Sequence, residues 1–112
     1  MNFKIDRINN MLLEQISYIL EQEIKDDDIK FVTITAVKTT NDLSFAKVYF
    51  TVLNNDPKVT ECALNNAKGY IRKLLYDRVE LRHIPELTFT FDESIEYGKK
   101  IEDIIEKIHE EN

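Results

Sequence analysis

Residues 32–52 read VTITAVKTTNDLSFAKVYFTV, two alternating runs joined by a short polar turn. In the first run Val32, Ile34 and Ala36 alternate with Thr33, Thr35 and Val37. In the second, Ala46, Val48, Phe50 and Val52 alternate with Lys47, Tyr49 and Thr51. A period of two sends successive side chains to opposite faces of a strand. With Thr39-Thr40-Asn41-Asp42 between them, the runs predict a β-hairpin. One face is apolar and the other mostly Thr, Lys and Tyr, so the sheet is expected to be covered on one side and wet on the other.

The period changes on both flanks. Upstream, Ile5, Ile8, Leu12, Ile16, Ile19 and Leu20 recur three and four apart, which predicts an amphipathic helix of about five turns. It should stop near Lys25-Asp26-Asp27-Asp28, where adjacent carboxylates repel one another. Those aspartates lack the alternating ligands, glycine and terminal glutamate of a calcium loop. Downstream, Asp56 suits an N-cap and Pro57 the first position of a second helix running to about Arg78. Ala63, Ala67, Ile71, Leu74 and Leu75 form its expected buried side, with Cys62 read as a core thiol. Gly69 falls inside this pattern, where glycine costs about 1 kcal/mol relative to alanine, so an interruption is expected there.

Pro85 opens a third strand over 86–91, with Leu87, Phe89 and Phe91 facing in. Asp92 can cap a last helix carrying Glu93 and Glu96 in its first turn and an Ile101, Ile104, Ile105, Ile108 stripe. The order helix, strand, strand, interrupted helix, strand, helix predicts one two-layer α+β domain over residues 1–112. It is expected to hold a three-stranded mixed sheet with helices on one face.

The bulk numbers narrow the function. At 43% hydrophobic and 32% charged the chain falls in the soluble globular class. No apolar run approaches the ~20 residues that span a bilayer, and the N-terminus lacks a signal-peptide core. The single cysteine, Cys62, cannot form an internal disulfide, which fits a reducing cytoplasm. A net charge of −6 opposes general binding to a polyanion, but the charge is uneven. Residues 68–91 carry +2 and residues 92–112 carry −5, so any nucleic-acid contact should be local and oriented.

Lys68 and Arg72 lie four apart on one helix face, and Lys73, Arg78 and Arg82 extend the cluster. Gly69 would let a nucleic-acid backbone come close, and a half-helix starting there would offer N–H groups to a phosphate. Lys38 and Lys47 on the hairpin, with Lys4 and Arg7 on the first helix, are further candidates. Catalysis has little support. His83 and His109 have no partner at metal-ligand spacing, and Gly69 and Gly98 alone cannot build a phosphate loop. No enzyme activity, metal or cofactor is expected. A sheet that stacks bases, as in RRM domains, is also disfavoured, because Tyr49 is the one aromatic expected on the outward face.

Several segments resemble the ribosome-binding factor A family. They are Asp42-Leu43-Ser44-Phe45-Ala46-Lys47-Val48-Tyr49, Gly69-Tyr70-Ile71-Arg72-Lys73-Leu74-Leu75, Leu81-Arg82-His83-Ile84-Pro85-Glu86-Leu87-Thr88-Phe89 and Asp92-Glu93-Ser94-Ile95-Glu96-Tyr97-Gly98, with Arg7-Ile8-Asn9 resembling the opening of the first helix. The resemblance implies a type II KH-like fold in which Ala67-Lys68-Gly69 stands as an Ala-x-Gly kink in place of the KH loop. It also implies a monomer that binds ribosomal RNA of the free or immature small (30S) ribosomal subunit, near the decoding region. The implied role is late maturation and rRNA processing, including cold adaptation, with a maturation GTPase assisting release. The competing expectation is an acidic protein–protein adaptor of the translation machinery that docks through the C-terminal helix.

Overall fold

The computed structural model describes residues 3–94. Helix α1 spans Phe3–Gln22 and buries Ile8, Leu12, Ile16, Ile19 and Leu20, the stripe its spacing predicts. The aspartate run beyond it forms a turn. The Asp26 carboxylate accepts from the Asp28 N–H at 2.9 Å, and the Asp26 carbonyl accepts from Ile29, whose side chain is buried. Asp27 pairs with exposed Lys30 at 2.9 Å.

Strands β1 (Val32–Thr39) and β2 (Phe45–Val52) pair antiparallel, as the alternation predicts. The ladder shifts register between Ile34 and Ala36. This irregularity overturns the simple alternation of β1. Ile34 and Val37 are buried, whereas Ala36 is not, because an extra residue in one strand re-aims everything after it. At the hairpin tip Leu43 takes a positive φ of 62°, and Asp42 organises the turn. Its Oδ1 accepts from the Thr40 hydroxyl at 2.7 Å and the Ser44 N–H at 3.0 Å. Those bonds hold its carboxyl below the usual aspartate value.

Helix α2 spans Pro57–Tyr76, with Asp56 accepting from the Lys58 N–H at 2.9 Å as N-cap. It is unbroken through Ala67-Lys68-Gly69, where the mid-helix glycine predicts an interruption. Its N–H groups there are engaged inside the helix, so no half-helix start offers them to a phosphate. The buried residues are Thr60, Leu64, Ile71 and Leu75. Cys62 points to solvent, and the expected core thiol is therefore a surface one.

Strand β3 (Glu86–Phe91) lies parallel to β2, a pairing that needs a crossover, and α2 supplies it. The sheet order is β1-β2-β3, and it is mixed. Phe50, Phe89, Val48, Ala46 and Leu87 meet the apolar stripes of both helices in one core. Phe91 packs edge-on against Phe50, with ring centroids 5.9 Å apart. This is the two-layer α+β arrangement that the element order predicts. Beyond β3 the Asp92 carboxylate accepts from the Ser94 N–H and from the Thr35 hydroxyl at 2.6 Å. The rest of the expected last helix, with its isoleucine stripe, lies outside the described residues, as does His109.

Candidate nucleic-acid interface

Lys68, Gly69, Arg72, Lys73, Arg78 and Arg82 all come from α2 and the loop after it, but the fold sorts them into different settings. Glu61, Asn65, Lys68 and Arg72 are spaced four, three and four apart and line the side of α2 that meets β3. The Glu61 carboxylate accepts from the Phe91 N–H at 2.9 Å, and Asn65 pairs with the Phe89 backbone. Arg72 donates through Nε at 3.0 Å and Nη2 at 2.6 Å to the Ile84 carbonyl. Its guanidinium also lies 6.0 Å from the Tyr76 ring centre. Arg72 thus ties the loop before β3 to α2. Lys68 is half-buried on the same side.

Arg78 stays exposed but is also engaged by its own fold. Its guanidinium sits 4.2 Å from the Tyr18 ring centre and 3.2 Å from Glu23 Oε1, joining the loop after α2 to the end of α1. Reversing the charge at Lys68 and Arg72 together is therefore not a clean test of a surface site.

The solvent-facing side of α2 is a different row. Asn66, Gly69, Lys73 and Tyr76 follow at spacings of three, four and three, and all are exposed. Tyr70 beside them is 52% exposed and Tyr76 is 53% exposed. Neither tyrosine nor Asn66 is a basic residue; the helical spacing of Asn66 and Tyr76 from Gly69, and the adjacency of Tyr70 to it, are the signals that find them. An ideal Cβ built on Gly69 meets nothing within 4 Å, and Gly69 does not take a positive φ. The glycine therefore leaves a gap in a row that holds an amide, a lysine and Tyr76, with Tyr70 beside it.

The loop after α2 turns toward the start of α1. Lys4, Arg7, Ile8 and Met11 line a groove of about 410 Å³ with Glu80 and Leu81. Lys4 and Arg7 are exposed, as are Arg82 and His83 in the adjoining loop. The fold thus brings the basic groups of α1 beside the loop that carries Arg82. Among the described residues no group of His, Cys, Asp or Glu has the geometry to hold a metal ion, and no helix is long and apolar enough to cross a membrane.

Lys38 and Lys47 lie elsewhere, on the open face of the sheet. They are register partners on β1 and β2, with ammonium groups 5.6 Å and 5.9 Å from the Tyr49 ring centre. Phe45 is 56% exposed and shares the face of Lys47 and Tyr49 by strand alternation. The outward face thus holds two aromatics and not Tyr49 alone, because the strand begins one alternation earlier than its apolar run.

A sequence profile described as Ribosome-binding factor A matches residues 4–105. The chain belongs to the ribosome-binding factor A family. It is 49% identical over 110 residues to ribosome-binding factor A of Staphylococcus epidermidis, covering 96% of this chain and 95% of that one. The crystal structure of ribosome-binding factor A from Thermus thermophilus superposes with a TM-score of 0.71 at 23% identity, covering 77% of this chain and 93% of that one. A homology model of the Thermus thermophilus factor, fitted into a cryo-EM map of its complex with 30S, superposes with a TM-score of 0.65 at 24% identity. That likeness covers 76% of this chain and 91% of the Thermus chain. The ribosome-binding factor A fold is therefore the frame on which the two exposed surfaces, the outer row of α2 and the open sheet face, are carried.

Proposed function

We propose that this member of the ribosome-binding factor A family binds the free or immature 30S subunit by laying the outer face of α2 against ribosomal RNA, assisting late maturation and rRNA processing, including growth in the cold. The observation that carries the reading is Gly69. A glycine in an unbroken helix costs about 1 kcal/mol relative to alanine, and here it meets no positive φ and no crowded neighbour that would require it. Its missing side chain lets an outside surface come close. Lys73 on the same row, with Arg82, Lys4 and Arg7 around the adjoining loop, supplies the cations for phosphates, and Tyr70 and Tyr76 supply rings that stack or donate hydrogen bonds.

Phosphate contacts of this kind position a protein by RNA shape and without reading base sequence. The name of the Staphylococcus epidermidis relative, and the fitting of the Thermus thermophilus factor into a 30S complex, support the choice of partner. The setting is the cytoplasm, with the protein acting as a monomer through binding and not through catalysis. A maturation GTPase that drives its release completes the cycle.

The test is co-sedimentation with immature and mature 30S subunits, read beside urea denaturation. Gly69→Leu should keep the fold, since a Cβ added there meets nothing within 4 Å among the described residues and leucine favours a helix, and should weaken subunit binding by filling the gap. Lys73→Glu with Arg82→Glu should weaken it further and flatten its salt dependence. Full binding by both variants would remove α2 as the contact. A salt-independent affinity would favour the protein adaptor instead.

A further inference from the structure

We infer that the open face of the sheet is a second RNA site, one that takes unpaired nucleotides, with a phosphate between Lys38 and Lys47 and a base stacked on Phe45 or Tyr49. The inference rests on the reading that the partner is RNA but concerns a surface separate from α2. Lys38 and Lys47 stand directly opposite each other in the β1–β2 register, where like charges destabilise a sheet. Both are exposed, and neither forms an ion pair within the described residues. In a chain with 21 acidic and 15 basic residues, two opposed cations on one wet face call for an anion from outside.

The aromatic half of the site is already assembled. Both ammonium groups lie within 6 Å of the Tyr49 ring centre, so the ring and the cations share one surface. Phe45, two residues before Lys47, adds a second ring that the protein leaves more than half exposed. Aromatic rings flanked by cations are the means by which proteins hold single strands, because every base has a face to stack and every nucleotide a phosphate. A duplex hides its base faces and cannot use the rings.

The acidic groups at the border do not neutralise the pair. The Asp92 carboxylate feels Lys38 but is committed to Thr35 and Ser94 at one end of the face. Glu86, the register partner of Phe45, stands at the other end. They mark the limits of the footprint and place the phosphate midway, between the lysines.

The experiment is fluorescence anisotropy of the full chain with a dye-labelled single-stranded RNA hexamer and with a hairpin duplex of the same composition, across a salt series. The wild type should prefer the hexamer. Lys38→Gln with Lys47→Gln should weaken it about tenfold and reduce the salt slope by about 0.7, the release expected from the one single-strand phosphate held between them. Phe45→Ala should also weaken it about tenfold, within the range for a stacked base. Lys73→Glu, on α2, should cost the hexamer less than either sheet variant does.

Equal hexamer affinity in the lysine and phenylalanine variants overturns the inference, as does a wild type that binds no hexamer or prefers the hairpin. Loss of the hexamer in Lys73→Glu alone would assign the single strand to α2, removing the sheet site while leaving the proposed function intact. Binding of a polyglutamate peptide in place of RNA, lost in the double lysine variant, would make the face a protein dock and also overturn it. Urea denaturation of each variant separates these outcomes from unfolding.

Discussion

Asn65 on α2 takes the place of a missing strand beside Phe89 on β3. Its Nδ2 donates to the Phe89 carbonyl at 3.0 Å while its Oδ1 accepts from the Phe89 N–H at 2.9 Å. Phe89 is a buried core residue, and β3 is an edge strand, so its outward backbone groups would otherwise lack partners or invite another chain. Glu61 one turn earlier does the same for the Phe91 N–H, and Arg72 two turns later holds the Ile84 carbonyl. One side of α2 is thus a polar seam that closes the sheet edge, while the side turned away from the buried Thr60, Leu64, Ile71 and Leu75 is left for a partner.

Asn65→Ala should therefore destabilise the fold by about 2–4 kcal/mol, since it strands one donor and one acceptor beside the core. Urea denaturation checks this. A loss below about 0.5 kcal/mol would mean that water replaces the amide at that edge.

Arg72→Lys keeps the charge but loses the two-nitrogen grip on Ile84. We expect a loss of about 1–2 kcal/mol in stability and faster amide exchange over residues 79–86, with subunit binding unchanged below the melting transition. Weakened binding in a fully folded Arg72→Lys protein would instead give the guanidinium a direct RNA contact.

Gly69→Ala should stabilise the helix by about 0.5–1 kcal/mol, raising the melting temperature by several degrees. The reason is local, because the new methyl meets no neighbour among the described residues and the backbone already suits it. A destabilised Gly69→Ala protein would show that the helix needs glycine after all.

Thr60 is fully buried, and its hydroxyl has no hydrogen-bond partner among the described residues. Thr60→Val replaces that hydroxyl with a methyl of the same shape and should raise stability by about 1 kcal/mol. Chemical denaturation would refute this by showing a loss.

The hydrogen bonds from Ser94 and Thr35, with the Lys38 charge as a smaller influence, hold the Asp92 carboxyl below the usual aspartate value. A carboxyl whose pKa is lower in the folded state binds fewer protons there than when unfolded, so it favours the fold above its unfolded pKa of about 4. That contribution is lost as pH falls through the lower folded value. Asp92→Asn should accordingly be less stable than wild type at pH 7, and the difference should shrink below about pH 4. A gap that stays constant into strong acid would rule out the charged form as its source.

Much of this arrangement was legible in the sequence because it depends on local periodicity. The α1 stripe, the hairpin, the Asp56-Pro57 helix start and the inward Leu87 and Phe89 all follow from spacings of two or of three and four. The bulge between Ile34 and Ala36 was not legible, since an extra residue in a ladder is decided by how two strands fit across their whole length. The outward thiol of Cys62 also escaped a reading in which small residues mark the buried side of a helix.

For the candidate site, the sequence by itself determined where positive charge concentrates and that Gly69 was out of place in a helix. Only the tertiary structure decided which cations are already engaged by partners within the fold. Arg72 and Arg78 have the same chemistry as Arg82, yet Ile84, Tyr18 and Glu23 capture the first two, at sequence distances from 12 to 60 residues. A charged side chain finds such partners only after the chain has folded back on itself. Sequence thus supplies the charges, and the long-range contacts of the fold choose which are left for RNA.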